Sequence, residues 1–111
     1  ADEPWYVGGK DLERNVLIAV QGREHRLLWS SGLRTEKLHW ISGNMPQVTN
    51  LSVKTRYRQN DVLARVSLQT DGSARVDFEQ PQWSVTPGQY VVFYAEDVCL
   101  GGGVIGQAFP I

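Results

Sequence analysis

The chain has one cysteine, two histidines and no long apolar run, and these shortages remove several classes of function at once. A lone Cys99 excludes an internal disulfide and supplies no zinc framework, which is the cysteine usage expected of the reducing cytosol. His25 and His39 sit beside basic or aromatic neighbours at no metal-ligand spacing, so both read as structural histidines. No apolar stretch approaches the roughly 20 residues that span a bilayer, so no membrane partner is expected. The start, Ala1-Asp2-Glu3-Pro4-Trp5, is acidic and aromatic, unlike a secretory signal or a transit peptide. No repeat or low-complexity tract is visible.

Catalytic constellations are missing too. Gly101-x-Gly103-x-x-Gly106 matches the letters of a dinucleotide-binding fingerprint, but the residues that follow are too few for the helix and second strand this chemistry requires. Gly9-Lys10 lacks the rest of a phosphate-binding loop. Cys99, between Val98 and Leu100, is expected to be a buried inert thiol, and no activating base is identifiable for it. No catalysis is expected from this chain alone.

What is present is strand. With 111 residues, 41% hydrophobic and 21% charged, one compact soluble domain is the default, with room for a short extra segment. Asn15 to Gln21 is an apolar, β-branched run ended by Gly22. Val62, Ala64, Val66 and Leu68 share one face of a strand, and Ala74, Val76 and Phe78 share the inward face of the next. Asp71-Gly72 between them predicts a hairpin, and Pro81 is expected to end the second strand. Thr86-Pro87-Gly88-Gln89 predicts a type II turn, with Pro setting φ and Gly supplying the positive φ that follows. Tyr90 to Ala95 is apolar on both faces, as a central strand is, and Gly101-Gly102-Gly103 permits a bulge or bend in the last strand. Residues 5 to 29 could form a separate hairpin. Thr35 to Leu38 is expected to hold a short helical turn, and Ser42 to Asn50 a polar loop. Short strands separated by Pro/Gly turns predict an all-β fold, a small antiparallel β-barrel.

One strand carries charge. In Val53-Lys54-Thr55-Arg56-Tyr57-Arg58-Gln59, strand alternation sets Val53, Thr55 and Tyr57 on one face and Lys54, Arg56 and Arg58 on the other. Three cations then stand about 7 Å apart. The formal net charge of the whole chain is −1, so the row is a local concentration, whose natural partner is a polyanion. A solvated outer face or a protected sheet edge accounts for the same residues.

Several strings, taken in order, resemble the C-terminal region of bacterial tRNA-specific 2-thiouridylases, known in older usage as tRNA (5-methylaminomethyl-2-thiouridylate)-methyltransferases. They are Pro4-Trp5-Tyr6-Val7, Lys10 to Asn15, Leu38-His39-Trp40, Val53 to Gln59, Val85 to Gln89 and Val98 to Gly103. The likeness covers nearly the whole chain and is weakest over 42–50 and 69–83. That family replaces the 2-oxygen of the wobble uridine with sulfur, using ATP and a persulfide. The resemblance implies an N-terminal ATP-using domain, a central domain, and a C-terminal barrel like the second domain of elongation factors. This chain would supply residues 1–32 as the tail of the central domain and 33–111 as the barrel. The ATP-domain loop Ser-Gly-Gly-x-Asp-Ser is absent, and Ser30-Ser31-Gly32 does not match it. No cofactor is therefore expected in this fragment.

The resemblance makes Arg56, Tyr57 and Gln89 tRNA contacts, and the alternation adds Lys54 and Arg58. Arg offers a forked donor to phosphate, Tyr a stacking face, and Gln an amide for a base edge or sugar. The partners implied are the tRNA anticodon arm, the parent's catalytic and central domains, and a sulfur-relay donor protein. The function expected is a non-catalytic tRNA-binding module of a cytoplasmic enzyme. The alternative is a structural barrel that braces neighbouring domains.

Overall fold

The computed structural model describes residues 3–44, 49–55 and 61–111. The described residues form eight strands and one 3₁₀ turn, without an α-helix. Strands β1 (Trp5–Asp11) and β2 (Val16–Gln21) pair antiparallel as the hairpin anticipated for the first third. The 3₁₀ turn, Arg26–Leu28, leads into β3 (Trp29–Trp40). His25 caps that turn, its Nδ1 accepting from the Leu27 amide at 3.2 Å. The remaining strands are β4 (Asn50–Lys54), β5 (Val62–Leu68), β6 (Ala74–Trp83), β7 (Tyr90–Ala95) and β8 (Val98–Pro110). They close with β3 into a six-stranded barrel in the order β3-β6-β5-β4-β7-β8, every pairing antiparallel.

Closure follows from alternation. Each barrel strand sends every second side chain inward, and Leu33, Leu51, Val53, Val66, Val76, Val91, Phe93 and Ile105 are almost wholly removed from water. Every one of the six strands contributes to this core. At roughly 1.5–3 kcal/mol per fully buried aliphatic or Phe side chain, the core is the main source of the barrel's stability. Thr35 is a polar residue buried among them, and its Oγ1 accepts from the Ala74 amide at 2.9 Å.

The turns behave largely as read. Gly88 has φ +93° and the Gln89 amide donates to the Thr86 carbonyl at 3.2 Å, as a type II turn requires. Asp71-Gly72 does make the β5–β6 hairpin, but through a three-residue loop. The Gln69 amide donates to Ser73 O, the Gly72 amide to Gln69 O, and Gly72 takes φ +87°.

Four expectations are corrected. Thr35 to Leu38 is not helical: β3 runs through it, and a register shift between Thr35 and Leu38 against β8 takes up an extra residue as a bulge. Pro81 does not end β6, which continues to Trp83. Between Asp77↔Gly32 and Gln82↔Ser30, β6 has four residues where β3 has one, so a residue without an N–H forfeits no bond to β3 there. Cys99 is exposed, since the bulge between Phe93↔Gly101 and Tyr94↔Cys99 breaks the simple alternation. Leu68, read as inward, is 48% exposed at the mouth of the hairpin.

The glycine triplet serves close approach. A Cβ on Gly101, Gly102 or Gly103 would run into the backbone carbonyls of His39, Val91 and Lys37 respectively, so β8 lies tight against both neighbours.

The hairpin is fixed to one end of the barrel. Trp83 stacks edge-on against Tyr6 (centroids 5.5 Å apart), lies under the Arg23 guanidinium at 4.2 Å, and donates from Nε1 to Arg23 O at 3.1 Å. Nearby the Ser84 amide donates to Leu28 O at 2.7 Å.

Candidate nucleic-acid interface

Antiparallel pairing brings two sequence-distant segments to the same end of the barrel. Lys54, the last residue of β4, pairs with Val92 near the start of β7. Gln89 immediately precedes β7, about 10 Å along the strand from Val92. The 84–89 connection carries Val85, which is 8% exposed and plugs that end of the core. Gln89 is held on both sides. Its carbonyl accepts from the Ile105 amide at 2.7 Å and its amide closes the turn, which leaves the exposed side chain free to reach outward.

The alternation expected of the charged strand holds as far as the described residues go. Val53 and Thr55 are buried and Lys54 faces outward, half-buried. Its ammonium lies 5.8 Å from the centre of the Tyr94 ring. This distance is within the range of a cation–π contact. Arg56, Tyr57 and Arg58 lie outside the described residues. Of the five candidate contacts, the fold therefore brings Lys54 and Gln89 to one end.

Sequence reading missed Tyr90 and Tyr94. Because Tyr90 to Ala95 is apolar throughout, both faces were expected to be covered. The strand is central, between β4 and β8, but in a closed barrel its second face is the outer surface. Tyr90, Val92 and Tyr94 point that way, and Tyr90 is 57% exposed. The signal was there: two tyrosines four apart on a strand share a face, and a phenol is suited to a wet one.

At the same end, the hairpin and the barrel enclose a cleft of about 670 Å³. Gly8, Leu27 and Leu28 line it from one side and Val85, Pro87 and Ala108 from the other, with Lys10 and Arg26 also on its wall. Among the described residues only two carboxyls have clearly shifted ionisation, both in hairpin turns. Hydrogen bonds from Arg14 hold Asp11 below the ordinary 3.8, and hydrogen bonds from Ser73 do the same for Asp71. Among the described residues no three of His, Cys, Asp and Glu gather as a metal site would need, and no helix is long and apolar enough to cross a membrane.

A family model described as the aminomethyltransferase beta-barrel domain matches residues 30–105. Three similar proteins each bear the name tRNA-specific 2-thiouridylase MnmA. That of Pseudoalteromonas translucida (strain TAC 125) is 58% identical over 104 residues, which cover 93% of this chain and 28% of that protein. That of Idiomarina loihiensis is 54% identical over 106 residues (95% and 29%), and that of Vibrio parahaemolyticus 51% over 107 (96% and 29%). The chain thus spans less than a third of the length of these relatives.

Proposed function

Since this chain belongs to the family of aminomethyltransferase β-barrel domains, we propose that it is the tRNA-binding C-terminal part of an enzyme that 2-thiolates the wobble uridine. It performs no sulfur transfer alone. ATP use and the encounter with a sulfur-relay donor belong to the rest of the parent protein. The observation that carries the reading is the convergence of Lys54 and Gln89 at one barrel end, in a chain more than half identical to proteins named for acting on tRNA. Lys54 leads directly into Arg56, Tyr57 and Arg58 in the sequence, so four of the five candidate contacts belong to one short run. Cations there meet phosphate, and Gln89 meets a base edge or sugar.

The test is a titration of the chain with an anticodon-arm RNA across a series of salt concentrations. Neutralising Lys54, Arg56 or Arg58 should weaken binding and reduce the salt slope by about one for each phosphate left without its cation. Gln89→Ala should weaken binding without altering the slope. Affinity indifferent to salt, or unchanged in the triple neutral variant, overturns the reading.

A specific observation favours a second role alongside it. The hairpin exposes Trp5, Val7, Leu17 and Ile18 at 66%, 58%, 62% and 40%. Residues 1–32 then act as the tail of a central domain whose remainder covers these side chains, and the barrel braces that domain. Self-association of the chain with rising concentration, without RNA affinity, would favour this role over the first.

A further inference from the structure

We propose that Tyr90 is a base-stacking contact, presenting its ring to an unpaired nucleotide of the RNA that Gln89 and Lys54 approach. The inference rests on the RNA-binding reading and adds to it a second stacking ring, on β7 beside the Gln89 turn, distinct from the one that Tyr57 offers in the charged run.

The ring is held in a particular way. Tyr90 is the first residue of β7 and pairs with Val104 of β8. Its diagonal neighbour on the outer face is Gly102, which pairs with Val92 and has no side chain. A Cβ built on Gly102 would meet the Tyr90 ring at Cε1, 3.4 Å away, and at Cδ1, 3.5 Å away. One edge of the ring therefore occupies space that a side chain at Gly102 would need, and 57% of the residue's surface stays in water. A ring that is seated yet open loses little conformational entropy when a base settles on it, as a stacking platform requires.

Its surroundings suit a nucleotide. Gln89 precedes it, with its backbone fixed by the turn and by Ile105. Lys54 lies on the neighbouring strand opposite Val92, and its ammonium lies over Tyr94 on the same outer face. The amide and the aromatic face thus adjoin at the start of β7, while the cation lies over Tyr94, about 14 Å further along the strand. Gln89 and Tyr90 suit the sugar or base edge and the base of one nucleotide, and Lys54 the phosphate of a neighbouring one. Asp61, exposed just before β5, sits at this end as well, so the area is not uniformly positive. Stacking is insensitive to that carboxylate and gives the site a contact that a purely electrostatic patch would lack.

The experiment measures binding of the 111-residue chain to two probes, a hairpin RNA with an unpaired loop the size of an anticodon loop and a blunt duplex of the same stem. Tyr90→Ala should lower affinity for the looped hairpin roughly five-fold or more, Tyr90→Phe should keep it within about two-fold, and neither should change duplex binding. The salt slope should stay that of the wild type in both variants, because every phosphate keeps its cation. A hairpin carrying 5-iodouridine in the loop should crosslink to Tyr90 on irradiation. If Tyr90→Ala binds the looped hairpin as tightly as wild type while the Lys54 or Gln89 variants weaken it, the stacking role alone falls. Loop crosslinks found only on other residues overturn it too. If the wild-type chain binds neither probe, the RNA reading and this inference fall together.

Discussion

The hairpin and the barrel are made of similar residues and treat them oppositely. Strand β2 reads Val16-Leu17-Ile18-Ala19-Val20, as apolar as β7, yet Val20 alone of these is buried. In β7 both Val91 and Phe93 are fully enclosed. A closed barrel owns an inside, so the inward residues of its six strands gather in one core. A two-stranded sheet has no inside and is marginal by itself in water. The difference teaches that apolar content states a demand for burial, and only topology says whether the chain meets that demand itself. In the barrel it does. In the hairpin the demand is left open except where Trp83 and the 3₁₀ turn reach across.

The largest expected effect contrasts one residue from each region. Phe93→Ala empties the centre of the core and removes the tilted stacking with Trp40, whose ring centre lies 5.2 Å away. Unfolding free energy should fall by about 3–5 kcal/mol in urea denaturation. Leu17→Ala in the hairpin should change it by no more than about 0.5 kcal/mol, because the side chain is already in water. A comparable decrease from both would show that Leu17 is covered in solution, and the contrast between the regions would fail.

The second effect bears on the attachment. Trp83 gives the hairpin an edge-on ring contact, a cation–π contact and a hydrogen bond to Arg23 O. Trp83→Ala should cost about 2 kcal/mol, the scale set by such contacts at a half-buried site. The effect should be local. Amide hydrogen exchange should accelerate across β1 and β2 while the amides of Val66, Val76 and Val91 keep their protection. Equal acceleration in both regions would mean that hairpin and barrel unfold as one unit.

How much of the fold was legible from sequence follows the same division. Alternation in β4, β5 and β6 exposed the barrel's inward face, except at Leu68 where β5 runs out into its hairpin, because period-two patterning is dictated by the pleat itself. The Thr86–Gln89 turn was legible because Pro and Gly restrict φ locally. The failures share a cause: each depends on a neighbouring strand. Pro81 stays in β6 because β6 bulges away from β3 there and needs no N–H from it, and Thr35 to Leu38 stays extended because β8 holds it. Cys99 is outside because of a bulge that no residue of its own segment announces. For the site, the outward aim of Lys54 and the placement of Gln89 in a turn were legible from local rules. For Tyr90 the pair of tyrosines four apart marked a shared face but not which face, since an apolar strand in a parallel sheet and in a small barrel look alike until the sheet closes.

The smallest expected effect compares the two hairpin turns themselves. Asp11, in the β1–β2 turn, owes its lowered pKa first to the Arg14 side chain, whose Nε donates to Oδ2 at 2.7 Å. Asp71, in the β5–β6 turn, owes its lowering first to Ser73, whose hydroxyl and amide both donate to Oδ1, at 2.6 and 2.9 Å. Arg34, 3.8 Å away, adds a minor share. Both carboxyls are easier to ionise folded than unfolded. Each therefore stabilises its turn above the ordinary value of 3.8, and that contribution disappears as pH falls through the lowered folded value. The two differ in what salt does. An exposed ion pair is screened, whereas a hydroxyl and an amide fixed two residues along the same turn are much less affected. Carboxyl titration by NMR should show the Asp11 pKa climbing towards 3.8 when salt is raised from about 0.05 to 1 M, where the Debye length shrinks to about 3 Å, while Asp71 stays low. Asp71 should instead rise on Ser73→Ala, a change to which Asp11 is indifferent. If salt moved both equally, Arg34 would be the main partner of Asp71. The barrel's turn would then depend on a mobile surface charge as the hairpin's does, and the contrast between the two regions would not extend to their loops.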